Sequence, residues 1–309
     1  MLAEAESDFT KARNKALFNE IQHLLVPEEA KMISLKAVRK IIKTQSETYV
    51  GMKVVPINKI IGSEGRYKDF DNQFFPKSSV MRERWEHVDE ALIKDIVLPP
   101  IKVYELGGLY FVRDGNHRVS VAKAKGVEFI DAEVVSLQTE IKLSPVHTLT
   151  GMLKQIVSWE KRNFYFETNF GDITDYWCLD FSTTGQYDII LQHILTHKYF
   201  INLNKPEEIS MEEAITSWFT KVYLPVIHTI EKYKIMKYFK TSTISDLYVW
   251  IITFYDELKK KFGDEVPLDT IVYDIREEKK FPFLKKILNF FKRKALKKEI
   301  SNISQKYER

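Results

Sequence analysis

One stretch constrains the fold of this chain more than any other: Tyr110–Gly126, YFVRDGNHRVSVAKAKG. The β-forming run Leu109–Val112 ends in the charged turn Arg113-Asp114-Gly115-Asn116-His117-Arg118, then passes into a small-residue segment of helical character that stops near Gly126. The pattern predicts a strand feeding a helix through a turn. A helix start leaves its first N–H groups without intrahelical partners and carries a partial positive charge, so it attracts an anion such as phosphate. Gly115 lets the backbone approach a ligand closely, and Asp114 or Asn116 can cap the helix. His117 and Arg118 add side-chain donors, the arginine as a fixed fork that matches phosphate oxygens in pairs. An ordinary reading covers the same residues: Asp114 and Asn116 cap the helix, and Arg118 pairs with a surface carboxylate.

Upstream, Lys53–Ile61 reads as a short strand and an extended connection, followed by the loop Gly62-Ser63-Glu64-Gly65-Arg66-Tyr67. Its backbone N–H groups, around Gly65 and Arg66, can surround an anion, so that two loops would hold the two ends of a polyphosphate. An ordinary surface turn competes with that reading. Glu64, Asp69 and Asp71 offer oxygen ligands to Mg²⁺, which takes one or two carboxylates and completes its shell from phosphates and water. Ser79–Asp95 predicts an amphipathic helix with Met81, Trp85, Val88 and Leu92 on one stripe, Glu83, Glu86 and Asp89 mostly away from it, and Arg82 and Arg84 available to solvent or ligand. Leu98-Pro99-Pro100 stops that helix, and Ile101–Glu105 should pair with Leu109–Val112 across Gly107-Gly108. A strand at Phe129–Val135 should close this domain near residue 140. Before it, helices are expected over Ser7–Val26, with Phe9, Ala12, Ala16, Leu17, Ile21 and Leu24 inward, and over Ser34 to about Glu47.

From Val146 onward strand signals become scarce. Helices are expected from Gly185 to His197, from Met211 until Pro225 breaks or kinks it, and from Ser245 to Phe262, with their aromatics read as core. His193 and His197 have the i, i+4 spacing of a metal face but lack the HExxH glutamate and an evident third ligand. The segment FPFLKKILNFFKRKALKKEI near the end is a basic amphipathic pattern, suited to an anionic membrane, to nucleic acid or to docking on a partner.

The chain therefore divides into N-terminal helices at 1–48, an α+β domain at 49–140, a mostly α-helical region at 141–278 and a basic tail at 279–309. With 309 residues, 44% hydrophobic, 29% charged and a net charge of +4, it has the composition of a globular protein whose mild positive charge permits an anionic partner without demanding one. A single cysteine, Cys178, excludes an internal disulfide and a cysteine-rich zinc site. No apolar stretch approaches the roughly twenty residues that span a bilayer, and Met1–Thr10 has no apolar leader. A cytoplasmic protein is expected. There is no GxxxxGK[ST], GxGxxG or GxSxG sequence, so P-loop, Rossmann and α/β-hydrolase chemistries have no local support.

The segment DGNHRVSVAKAKG, preceded by YFVR and followed by FIDAEVV, resembles the phosphate-binding motif of the ParB/sulfiredoxin-like superfamily, and VPINKIIGSEGRYKDFD and LPPIKVYEL resemble the preceding part of that domain. The chain is also similar to a bacterial ParB-like nuclease-domain family with its own helical C-terminal region, in which stretches like HKYF, EEAITSWFTKVYLPV and SDLYVWI recur. The resemblance implies a ParB/sulfiredoxin-like N-terminal domain that binds a nucleoside phosphate, with ATP, ADP or CTP as ligand and Mg²⁺ beside it. Asn116 stands where sulfiredoxin has its cysteine, which puts sulfinic acid repair in doubt. The partitioning proteins have an acid and an arginine where this chain has Asn116 and His117, and their cytidine-triphosphate switch is equally in doubt. The serine kinases of the superfamily, whose loop resembles DGHHR, match more closely. In that comparison Asp114, His117 and Arg118 correspond to phosphate-site residues.

The expected site therefore comprises Gly115, Asn116, His117, Arg118, Gly65, Arg66 and Arg82 on phosphate, with Asp114, His117 and Glu64 in catalytic roles and Glu64 and Asp114 on Mg²⁺. Three outcomes stay open: a nucleotide hydrolase or kinase-like phosphotransferase, a nucleotide-gated module without turnover, and a DNA-binding protein or nuclease. Oligomerisation is left open.

Overall fold

The computed structural model describes residues 2–262 except 24, 25, 204 and 240. The basic tail lies outside the described residues, and so does Leu24 of the first predicted helix. The chain divides into two compact units, Met1–Ile156 and Val157–Arg309. The architecture is α+β: a mixed sheet with helices in the first unit, and helices alone among the described residues of the second. None of the described helices is long and apolar enough to cross a membrane.

The first unit holds α1 (Leu2–Gln22), β1 (Ile33–Ser34), α2 (Leu35–Arg39), β2 (Glu47–Pro56), β3 (Ile60–Ser63), α3 (Arg82–Ile93), β4 (Ile101–Leu106), β5 (Leu109–Asp114), α4 (Asn116–Lys125) and β6 (Phe129–Leu137). The sheet order is β1-β3-β5-β4-β6-β2, with β1, β3 and β5 parallel, β4 parallel to β6, and the β4–β5 and β2–β6 pairs antiparallel. The hairpin expected at Gly107-Gly108 is present, with Leu106 opposite Leu109. Both glycines have positive φ, 61° and 89°, as a two-residue turn that matches the strand twist requires.

α4 lies in the middle of the unit, which explains its small residues. Val119 and Ala122 join Val55, Ile101, Val103, Val112 and Val134 in the core against the sheet. Val121 faces the other way, into Phe9, Ala12, Ala16 and Trp85 of α1 and α3. Ser120 accepts a 2.9 Å hydrogen bond from the Trp85 indole, a contact a larger side chain would displace.

Three sequence expectations are corrected here. The helix expected from Ser34 to Glu47 ends at Arg39, and Glu47 already begins β2; the β-formers Thr48 and Tyr49 find partners in Ser136 and Val135 of β6, and that long-range pairing overrides local periodicity. On α1 the buried stripe is Ala5, Phe9, Ala12, Ala16 and Asn19, whereas Leu17 and Ile21 are exposed. On α3, Leu92 is exposed and Asp89 is fully buried, because Lys125 of α4 pairs with Asp89 at 3.4 Å and with Asp8 of α1 at 2.5 Å. The charge partner decides the burial, and no single-helix stripe reveals it.

The second unit contains α6 (Phe170–Thr174), α7 (Gln186–Asn202), α8 (Met211–Trp218), α9 (Leu224–Lys232) and α10 (Ile244–Phe262), while α5 (Leu149–Thr168) crosses the division. Ser210 and Glu213 form a reciprocal capping box at the start of α8. Where Pro225 was expected to break or kink the helix, a π-helical turn, Phe219–Tyr223, carries the chain from α8 into α9 and leaves the proline in the first turn of α9, where no N–H is needed. Phe164, Phe170, Trp218, Phe219, Tyr223 and Tyr248 form one aromatic core, as expected. His193 meets the Tyr248 hydroxyl at 3.3 Å and His197 the Ser217 hydroxyl at 3.0 Å, and the described residues contain no metal-binding cluster.

Candidate functional site

The β5–α4 turn is built as the sequence suggests, though with a different division of labour. Gly115 occupies the N-cap with φ 100° and contributes no side-chain cap. A Cβ there would meet Ile101 Cγ2 at 2.6 Å and the Arg118 guanidinium carbon at 3.1 Å, so conformation and space both demand glycine. Neither Asp114 nor Asn116 caps the helix. The first backbone bond in α4 runs from Val119 N to Gly115 O at 3.0 Å, leaving the N–H groups of Asn116, His117 and Arg118 as the donors of the helix start.

Arg118, expected on phosphate, is committed to the protein. It donates to Asp114 at 2.6 Å, to the Pro100 carbonyl at 2.9 Å and to the Pro99 carbonyl. It fastens the diproline approach to β4 and the end of β5 onto α4. Asp114 is thereby an ion-pair partner rather than an open base.

Asn116 and His117 are each 6% exposed, and Asn116 Oδ1 and His117 Nδ1 have no hydrogen-bond partner among the described residues. The His117 ring stands edge-on to Phe70 at 5.3 Å. Burial, reinforced by the positive charges of Arg84 and Arg66, lowers its pKa to about 4, so the imidazole is neutral at physiological pH. Buried polar atoms without partners are uncommon in folded proteins and here converge at a helix start.

Arg84 makes no hydrogen bond or ion pair among the described residues and is exposed, while Arg66 pairs with Asp69 at 3.0 Å. Both act on His117 electrostatically, whereas Arg82 lies over the Phe9 ring at 5.0 Å and pairs with Glu86 at 3.6 Å. The sequence offered both arginines of α3 and placed Arg82 on phosphate; 82 and 84 lie about 200° apart on a helix and meet different neighbours.

The 62–67 loop is closed upon itself. The buried Ser63 hydroxyl accepts from the N–H groups of Gly65 at 3.4 Å and Arg66 at 3.3 Å and donates to the Val112 carbonyl at 3.1 Å, so the expected anion cradle is filled by a side chain. Glu64 is exposed with its carboxylate 4.0 Å from Arg113. Asp71 is fully buried and accepts from Gln73 N at 2.9 Å, Phe75 N at 2.8 Å and Asn19 Nδ2 at 2.9 Å, which makes it an organiser of the 70–76 loop rather than a metal ligand. Asn19, which the sequence pattern missed, completes this network through a 2.7 Å bond to Asn72. Its signal was a polar residue in register with the buried stripe of α1.

Glu64 and Asp114, the carboxylates expected to hold Mg²⁺, each face a guanidinium. As arranged they do not fit a divalent cation.

No family model matches the chain, and no curated protein matches it. A solved structure of a Pnob8-like ParB-N domain aligns at 15% identity with a TM-score of 0.21, covering 72% of this chain and 88% of that one, a similarity from which nothing is carried over.

Proposed function

We propose that the β5–α4 turn binds the phosphates of a nucleoside di- or triphosphate, as the resemblance of DGNHR to the ParB/sulfiredoxin-like motif implies, and that this protein is a nucleotide-gated module with little or no turnover. The observation that carries the reading is the unpartnered Nδ1 of buried His117 beside the open N–H groups at the start of α4, with the charges of Arg84 and Arg66 acting on the same ring. Phosphate oxygens would accept from the backbone donors and neutralise the arginines, while His117 Nδ1, if it carries the ring proton, and the Asn116 amide add side-chain donors.

Gating is favoured over phosphoryl transfer because the groups expected to do chemistry are occupied. Asp114 is held by Arg118, and His117 has the basicity of a group with pKa about 4, too weak to take a proton efficiently near neutral pH. Mg²⁺ would arrive with the nucleotide, without a carboxylate pair prepared for it. The DNA-binding or nuclease reading follows from the same resemblance, and the basic segment suited to nucleic acid, 279–309, lies outside the described residues.

A thermal-shift and calorimetric screen against ATP, ADP, CTP and GTP, with and without Mg²⁺, tests the proposal. Arg84→Ala should weaken the nucleotide that binds by about tenfold or more, since a charge-assisted hydrogen bond contributes about 1.5–3 kcal/mol. Arg82→Ala should leave it unchanged. Equal effects of the two substitutions, or no shift with any nucleotide, would refute the site.

A further inference from the structure

A cavity lies at the C-terminal end of α4, about 15 Å from the β5–α4 turn by helix rise. Its volume is about 510 Å³, within the range of small-molecule sites, and its wall carries Lys123 and His147 together with Ile57, Val127 and Phe129. From this geometry we infer a binding site for a small carboxylate with an apolar body, an aromatic or short aliphatic acid, whose carboxyl group lies between Lys123 and His147.

Lys123 leaves α4 from its last turn. Its Nζ donates to the Ile60 carbonyl at 2.8 Å and lies 4.6 Å above the Phe74 ring, which leaves further ammonium protons to donate. No carboxylate forms an ion pair with it among the described residues; Asp71 acts on it at longer range while accepting from Gln73, Phe75 and Asn19. His147, on the exposed side of the wall, lies close enough to sense the Lys123 charge. An ammonium and an imidazole, which burial and the Lys123 charge hold below the ordinary histidine pKa and so neutral, thus line one space, and the acid of the wall, Glu128, is exposed to solvent.

The remaining wall selects the body of the ligand. Ile57 is buried, Val127 half-buried and Phe129 about half exposed at 54%, an apolar surface that a hydrocarbon moiety would cover. A phosphate dianion is disfavoured here. The cavity meets the C-terminal end of α4, whose negative pole opposes any anion and a dianion about twice as strongly as a monoanion, so the single charge that Lys123 can match is the one tolerated.

Burial lowers the Lys123 pKa to about 8. A bound carboxylate restores the ammonium, so binding at pH 8.5 should take up about three quarters of a proton, detectable by calorimetry in two buffers of different ionisation enthalpy.

The test is titration of the full chain with benzoate, hexanoate, benzamide and inorganic phosphate. At least one of the two carboxylates should bind with a Kd of about 1 mM or tighter, with proton uptake, and benzamide and phosphate at least about tenfold more weakly. Lys123→Met should abolish carboxylate binding. His147→Gln, at an exposed position that does not threaten folding, should weaken it several-fold, while Arg84→Ala at the phosphate turn should not alter it. Neither carboxylate binding below about 10 mM, benzamide or phosphate matching the acids, affinity unchanged in His147→Gln, or a loss in Arg84→Ala would each overturn the assignment.

Discussion

Acidification should destabilise this protein through His117. The ring is buried against Phe70 and faces the arginines, and its pKa falls from the ordinary 6.5 to about 4. A histidine depressed on folding contributes stability that is complete above the unfolded value and is lost as pH falls from about 6.5 toward 4. With 1.36 kcal/mol per pKa unit, the loss between pH 7 and pH 5 is about 2 kcal/mol and saturates near 3 kcal/mol below pH 4. The assay is urea unfolding at both pH values for the parent and for His117→Gln, which keeps a polar side chain but cannot titrate. His147 and His197 are also lowered by burial, while buried Asp71 and Asp89 are raised and act in the opposite direction. All four are common to both proteins and cancel in the comparison. The parent should lose about 2 kcal/mol more than the variant on acidification. Equal losses, or an imidazole resonance of His117 titrating near 6.5, would refute the account.

Two substitutions probe the scaffold of the same region. Gly115→Ala forces a Cβ into the left-handed N-cap against Ile101 and should lower stability by about 2–4 kcal/mol, read from the urea midpoint. Asp71→Ala removes the common acceptor of Gln73 N, Phe75 N and Asn19 Nδ2 and leaves buried donors unpaired; a loss of about 3 kcal/mol or more is expected, with early hydrogen exchange at the Phe75 amide.

The hairpin, α3, α4 and β6 were legible because their signals are local: a Gly-Gly turn, a period of 3.6, a diproline stop. α2 and β2 were not, because strand pairing with β6 across about eighty residues decides where the helix ends. The site shows the same limit. DGNHR announces a strand–turn–helix with donors at its start, and the structure contains one. The sequence could not say that Arg118 turns back to the diproline carbonyls, that the charge of Arg84 rather than Arg82 acts on His117, or that Ser63 fills its own loop. Those outcomes depend on which elements become neighbours, and buried polar residues such as Asn19 and Asp89 acquire their roles only there.

β2 closes one end of the sheet with ten residues, and Tyr49, Met52 and Val54 stand exposed on it. A long apolar strand with unpaired backbone groups is a template for a further strand from another molecule. The register to β6 slips at Val50, because Tyr49 faces Val135 and Gly51 faces Val134. The extra residue interrupts the row of outward donors and acceptors and raises the local twist. The bulge at Val50 thus breaks the evenness of the edge that strand-to-strand association between copies requires.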